Sequence, residues 1–216
     1  MNTTKIIQPW IFYFKAFLIV LFSQFVFAQN TSIKKIEAEN VEIISIDGNQ
    51  LFMIEVMTSN LKEFKITSIV DGEYENNYQI ISSLDENTLN IKLERVAFAE
   101  IEDDKRNAHK VIDAKLLLEI PKKMNLSIIS DIASVQLDGN YNTISIQLRQ
   151  GYCNLNGSSK TTSINTIDGN ISVITEEADV RAISNKGSVN VYPYNLKTSI
   201  YNLRSINGDI SVRRPD

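Results

Sequence analysis

From about Leu126 to Val212 the chain repeats with a period of 18 residues, and a constant period admits few folds. Five segments align: Ala133–Leu137, Gly151–Leu155, Gly169–Val173, Gly187–Val191 and Gly208–Val212. Their starts at 133, 151, 169, 187 and 208 are spaced by 18, 18, 18 and 21 residues. In each, the third and fifth residues are apolar and the second and fourth are mostly polar, the pattern of a strand buried on one side. A second strand precedes each segment at a fixed offset, with Leu126/Ile128, Ile144/Ile146, Thr162/Ile164, Val180/Ala182 and Tyr201/Leu203 on its inner side. Turns carry Asp138-Gly139, Asp168-Gly169 and Asn207-Gly208, residues that tolerate positive φ.

One two-strand unit cannot bury its own apolar side, but stacked copies can. The expectation is therefore an all-β protein whose C-terminal part is a parallel β-solenoid of about 18 residues per rung. Val135, Cys153, Ile171, Val189 and Ile210 would form one inner column, and Leu137, Leu155, Val173, Val191 and Val212 the next. The spacing of 21 fits a three-residue insertion in a turn near Pro193. An antiparallel sandwich or barrel of hairpins remains the rival, because turn signals every 8–12 residues suit it too.

Upstream, alternation again predicts strands: Val41–Ile46, Leu51–Val56, Phe64–Val70, Tyr78–Ser82, Thr88–Glu94 and Lys115–Ile120. Asp47-Gly48-Asn49 and Asp85-Glu86-Asn87 read as turns, and Pro121 closes the last strand. These strands would cap the repeat or pack on it. Ala99–Lys110 is charged, lacks alternation and reads as a polar loop. Residues 1–28 read as a secretory signal peptide: Lys5 and Lys15, an apolar run from Ala16 to Phe27, and small residues Val26 and Ala28 before Gln29. The expected organisation is a signal peptide over 1–28, an N-terminal β region over 29–122 and the repeat region over 123–214. The mature chain is expected to have no membrane span and to reach the periplasm, the cell surface or the exterior.

The strands Gly169–Val173, Gly187–Val191 and Gly208–Val212, of the form G-[DNS]-[IV]-x-V, resemble the adhesin-like repeat domains of unknown function in bacterial envelope proteins. The resemblance covers about Leu126 to Val212. It implies a parallel β-helix and an adhesin-like role, and it carries no catalytic residues.

Candidate chemistry is sparse. A net charge of −4 gives no basic footprint for nucleic acid. One Cys and one His allow no intramolecular disulfide and argue against a His/Cys metal site. His109, with Asp103, Asp104 and Asp113 near in sequence, reads as a solvent-facing loop residue. Cys153 lies on the inner column and reads as a buried structural thiol. Glu100, Glu102, Asp103 and Asp104 lack the spacing of a calcium loop. Asp138 and Asp168 fall at turns whose neighbours carry Asn156 and Asn185, so acids form no column. No catalytic, cofactor-binding or metal-binding residue is assigned, and no cofactor is expected. The outer side is rich in Ser, Asn, Thr and Gln, with Tyr152, Tyr192, Tyr194 and Tyr201 nearby, which suits a protein or glycan partner. The expected function is a non-enzymatic, adhesin-like envelope protein. The alternative is a polysaccharide-binding or polysaccharide-degrading β-helix, which a groove holding several acids beside Arg or Lys would favour.

Overall fold

A computed structural model describes residues 30–71, 77–96, 113–195 and 198–215. The signal-peptide reading and the loop with His109 lie outside these residues. The described chain is all-β. Its strands are β1 (Asn30–Glu37), β2 (Ile43–Asp47), β3 (Met53–Ser59), β4 (Glu63–Asp71), β5 (Tyr78–Asp85), β6 (Thr88–Arg95), β7 (Asp113–Pro121), β8 (Asn125–Ser130), β9 (Ser134–Asn140) and β10 (Thr143–Gln150). They continue as β11 (Cys153–Ser158), β12 (Thr161–Asp168), β13 (Ile171–Ile174), β14 (Asp179–Ser184), β15 (Val189–Val191), β16 (Ile200–Ser205) and β17 (Ile210–Arg213).

The strands form two open, mixed sheets. The first runs β1-β4-β7-β3-β9-β11-β13-β17-β15, the second β14-β16-β12-β10-β8-β2-β6-β5. Each repeat unit gives one strand to the second sheet and the next to the first, and units meet in parallel register. Ile144 stands between Leu126 and Thr162, and Cys153 between Val135 and Ile171, each 18 residues from its partners. The inner residues of both sheets interdigitate into one core, with Val135, Leu137, Cys153, Leu155, Ile171 and Val173 all almost wholly buried. Ladder bonding and apolar burial therefore reinforce one register, since a slip of one residue would turn every inner side chain outward.

Two findings go beyond the periodicity. First, the stack does not follow chain order. β16 lies between β12 and β14, and β17 between β13 and β15. The observed column is Val135, Cys153, Ile171, Ile210, Val189, so the fourth unit is outermost and the last is inserted beneath it. This corrects the expected column order. It also explains why Val189 is 44% exposed although its position faces inward: among the described residues, no further unit covers it. The long spacing belongs to the connection after Val191, which carries the chain back past one layer. Backbone packing enforces the same order. A Cβ on Gly208 would lie 2.0 Å from the Gly169 carbonyl oxygen, and one on Gly187 2.2 Å from that of Gly208. Only glycine allows those turns to stack so closely.

Second, upstream strands join the same stack. β2 pairs with β8 and β3 with β9, setting Ile44 beside Leu126 and Ile54 beside Val135. β6 and β7 pair with β2 and β3 on the far side. Both sheets thus run across residue 122, and seven two-strand layers result. The N-terminal end is then flanked by antiparallel strands, β4 and β1 on β7 and β5 on β6. Pro121 is the last residue of β7, as a residue without an amide proton should be.

Among the described residues, every buried side-chain polar atom has a hydrogen-bond partner. The Tyr201 hydroxyl accepts the Ser159 N–H at 3.0 Å, and Thr162 bonds the Ser159 hydroxyl. Ser130, Thr166, Ser184 and Ser205 share one register position, and each donates to a glycine carbonyl in the adjoining turn. Tyr201, read partly as an outer residue, is fully buried.

Ile171 is 1% exposed between Cys153 and Ile210. Ile171→Asp would bury an unpaired carboxylate at a cost of about 4 kcal/mol or more. That corresponds to a fall in Tm of about 10 °C or more for a domain of this size. Thermal unfolding followed by circular dichroism checks this; a wild-type melting curve would mean that Ile171 faces no core.

Candidate functional site

The outer side of the first sheet carries a groove of about 600 Å³ running across the strands from β4 to β17. Register defines two cross-strand rows. One comprises Thr67, Leu117, Glu55, Gln136, Asn154 and Ser172. The other comprises Lys65, Glu119, Met57, Asp138, Asn156, Ile174 and Arg213. Strands stand about 4.8 Å apart, so seven of them give a groove about 29 Å long. Thr67, Leu117, Glu55, Lys65 and Glu119 are half-buried although they point outward, as expected in a concave face.

Side chains lining the groove bind one another or residues just outside it. The Lys115 ammonium lies 2.6 Å from the Glu55 carboxylate, each about a third exposed. Such a pair contributes at most about 1 kcal/mol to stability; its main effect is to fix both side chains. The Asn156 amide donates to Asp138 at 2.9 Å, and the Gln136 amide to the Tyr152 hydroxyl at 3.1 Å. Met57, 55% exposed, gives the centre an apolar floor. The groove thus offers alternating charge, amide and apolar contact at the strand repeat, suited to a long thin occupant.

The sequence-read candidates do not converge here. Cys153 is wholly buried, and burial pushes its thiol up to about 12, which suppresses the thiolate. Asp168 hydrogen-bonds Asn207 in the turn between the sheets, away from the groove. Asp138 does line the groove, but as the partner of an amide. Among the described residues, no group of three or more His, Cys, Asp or Glu is placed to hold a metal ion. Apart from Asp138 and Asn156, the groove residues escaped the sequence reading. Alternation marked each as outward, but the rows join strands up to about 150 residues apart in the chain.

No family model and no curated protein matches the chain. Solved structures do. A proposed cell adhesion protein from Clostridium sporogenes superposes over 87% of this chain and 100% of its own, with a TM-score of 0.62 and 13% identity. A proposed adhesin from Bacteroides fragilis covers 87% of this chain and 98% of its own, with 11% identity and a TM-score of 0.35. At such identities the likeness is one of fold: this chain shares its architecture with that Clostridium sporogenes protein.

Proposed function

We propose that the chain is an exported, non-enzymatic, adhesin-like protein of the cell envelope that holds an extended glycan along the groove of the first sheet. The two-sheet stack is read here as a flattened β-solenoid with one two-strand unit per rung. The carrying observation is the groove itself, continuous over seven strands and lined by side chains repeating every 4.8 Å or so. A polymer lying along it meets each strand once, so many weak polar contacts add up without a deep pocket. Support for export comes from the signal-peptide pattern of residues 1–28. Support for an adhesive role comes from the fold shared with the Clostridium sporogenes protein. Glu55 and Asp138 already bind Lys115 and Asn156, which favours holding over bond cleavage.

One observation favours a second reading, a polysaccharide-degrading groove. Glu55 and Glu119 share the concavity with Lys65 and Arg213, the combination of acids and cations that acid–base chemistry on a sugar would use.

Purified protein starting at Gln29 would be passed over immobilised polysaccharides, with release of reducing sugar followed in parallel. Retention without release is expected. Met57→Ala, which removes the exposed apolar floor without changing charge, should weaken retention at least about threefold while leaving the melting curve unchanged. Retention indifferent to that change would remove the groove reading. Sugar release abolished by Glu55→Gln would establish the second reading instead.

A further inference from the structure

The groove is asymmetric in charge. Towards β4, cations and acids neighbour one another: Lys115 binds Glu55, and Lys65 stands opposite Glu119 in register. Towards β17 the lining turns neutral, with Asn154, Asn156, Ser172 and Ile174, and ends on Arg213. The Tyr192 N–H donates to the Val212 carbonyl at 2.9 Å, one residue beyond the last paired residue of β15, so alternation sets Tyr192 beside Arg213. The Arg214 guanidinium lies over the Tyr192 ring, 5.8 Å from its centroid. Tyr194 meets that ring edge-on with centroids 5.2 Å apart, and its hydroxyl donates to the Arg213 carbonyl at 3.0 Å. Two arginines are thus gathered at one end of the groove on a tyrosine support. Among the described residues, no carboxylate lies within ion-pair distance of either.

Glu176 and Glu177 lie beyond Thr175 in the neighbouring hollow with Pro215 and form no ion pair with either arginine, and within the groove distance separates the acids from Arg213. Asp138 lies three strands from Arg213, about 14 Å away. The Debye length at physiological salt is about 8 Å, so the groove's acids are screened from the arginines. A planar guanidinium presents two parallel N–H donors that match the two oxygens of a carboxylate. The cation–π contact holds the second guanidinium without consuming its donors. We infer that this end of the groove recognises the carboxylate of an acidic sugar, so the occupant is a uronate-bearing polysaccharide. This rests on the groove reading and names its ligand class. The adjoining Asn154, Asn156 and Ser172 then serve the hydroxyls of the following residues.

The test compares the wild type with the double variant Arg213→Gln, Arg214→Gln in affinity electrophoresis through polygalacturonate, neutral dextran, dextran sulfate and polyglutamate. Lys160→Gln, an exposed residue of a turn outside the groove, serves as the charge control. Polygalacturonate should retard the wild type most. The double variant should lose at least about tenfold of that affinity, and Lys160→Gln should lose none. Equal retardation by dextran and polygalacturonate, unchanged in the double variant, overturns the carboxylate assignment and leaves the groove reading standing. Preference for dextran sulfate or polyglutamate overturns it in favour of another anion, and an equal loss in Lys160→Gln reduces it to diffuse charge. Retardation by none of the four removes the groove reading, and this inference with it.

Discussion

Everything in the fold depends on one constraint: a two-strand unit leaves its inner side chains and both ladder edges unsatisfied until another unit lies against it. Apolar burial supplies most of the driving force, at about 25 cal/mol for each Å² removed from water. Hydrogen bonding supplies the register. Because both sheets impose the same register on every unit, the inner columns close without gaps from Leu116 through Ile54, Val135, Cys153 and Ile171 to Ile210. The same equivalence lets units stack out of chain order. Any unit presents a matching inner surface to any other, so β16 and β17 fit beneath β14 and β15, and β2 and β3 fit between units that follow them in sequence.

That freedom shapes the outer face. Outward positions line up across strands as strictly as inward ones, so residues as distant as Lys65 and Arg213 fall on one row. The groove is a by-product of the register, and its chemistry is set by whichever side chains the stacking order brings together. Insertion of the last unit puts Arg213 next to Ile174 and leaves the outermost unit to contribute Tyr192. Had the units stacked in chain order, Asn190 and Val191 would stand where Ser211 and Val212 stand now, and the paired arginines would lie one strand further from the amides of Asn154 and Asn156.

The legible part of the structure was whatever alternation and period encode. The strand pairs, the 18-residue register and the inward orientation of Val135, Cys153 and Ile171 all follow from apolar residues two apart. Stacking order was not legible, because a period describes the chain and equivalent units carry no label saying which neighbour they prefer. Only the glycine contacts at Gly208 and Gly187 record it, and these need coordinates to be seen. The upstream layers were hidden for another reason. Ile44/Ile46 and Ile54/Val56 carry the same inward pattern, but long insertions around them break the period. The groove stayed illegible because its residues share no sequence motif, only a common side of one sheet.

The stacking order is the claim on which both the groove and its cationic end rest, and disulfide mapping tests it most directly. Ser172 and Ser211 are direct partners on adjacent strands, whereas Ser172 and Asn190 are separated by an intervening strand. Adjacent strands lie about 4.8 Å apart, within the Cα range a disulfide spans, and two spacings of about 9.6 Å exceed it. Cys153 is buried and does not compete. Mild oxidation of the S172C/S211C variant should give an intramolecular disulfide in high yield, and S172C/N190C should give none. The opposite result, with only S172C/N190C closing, would mean that the units stack in chain order and that the groove does not end on Arg213.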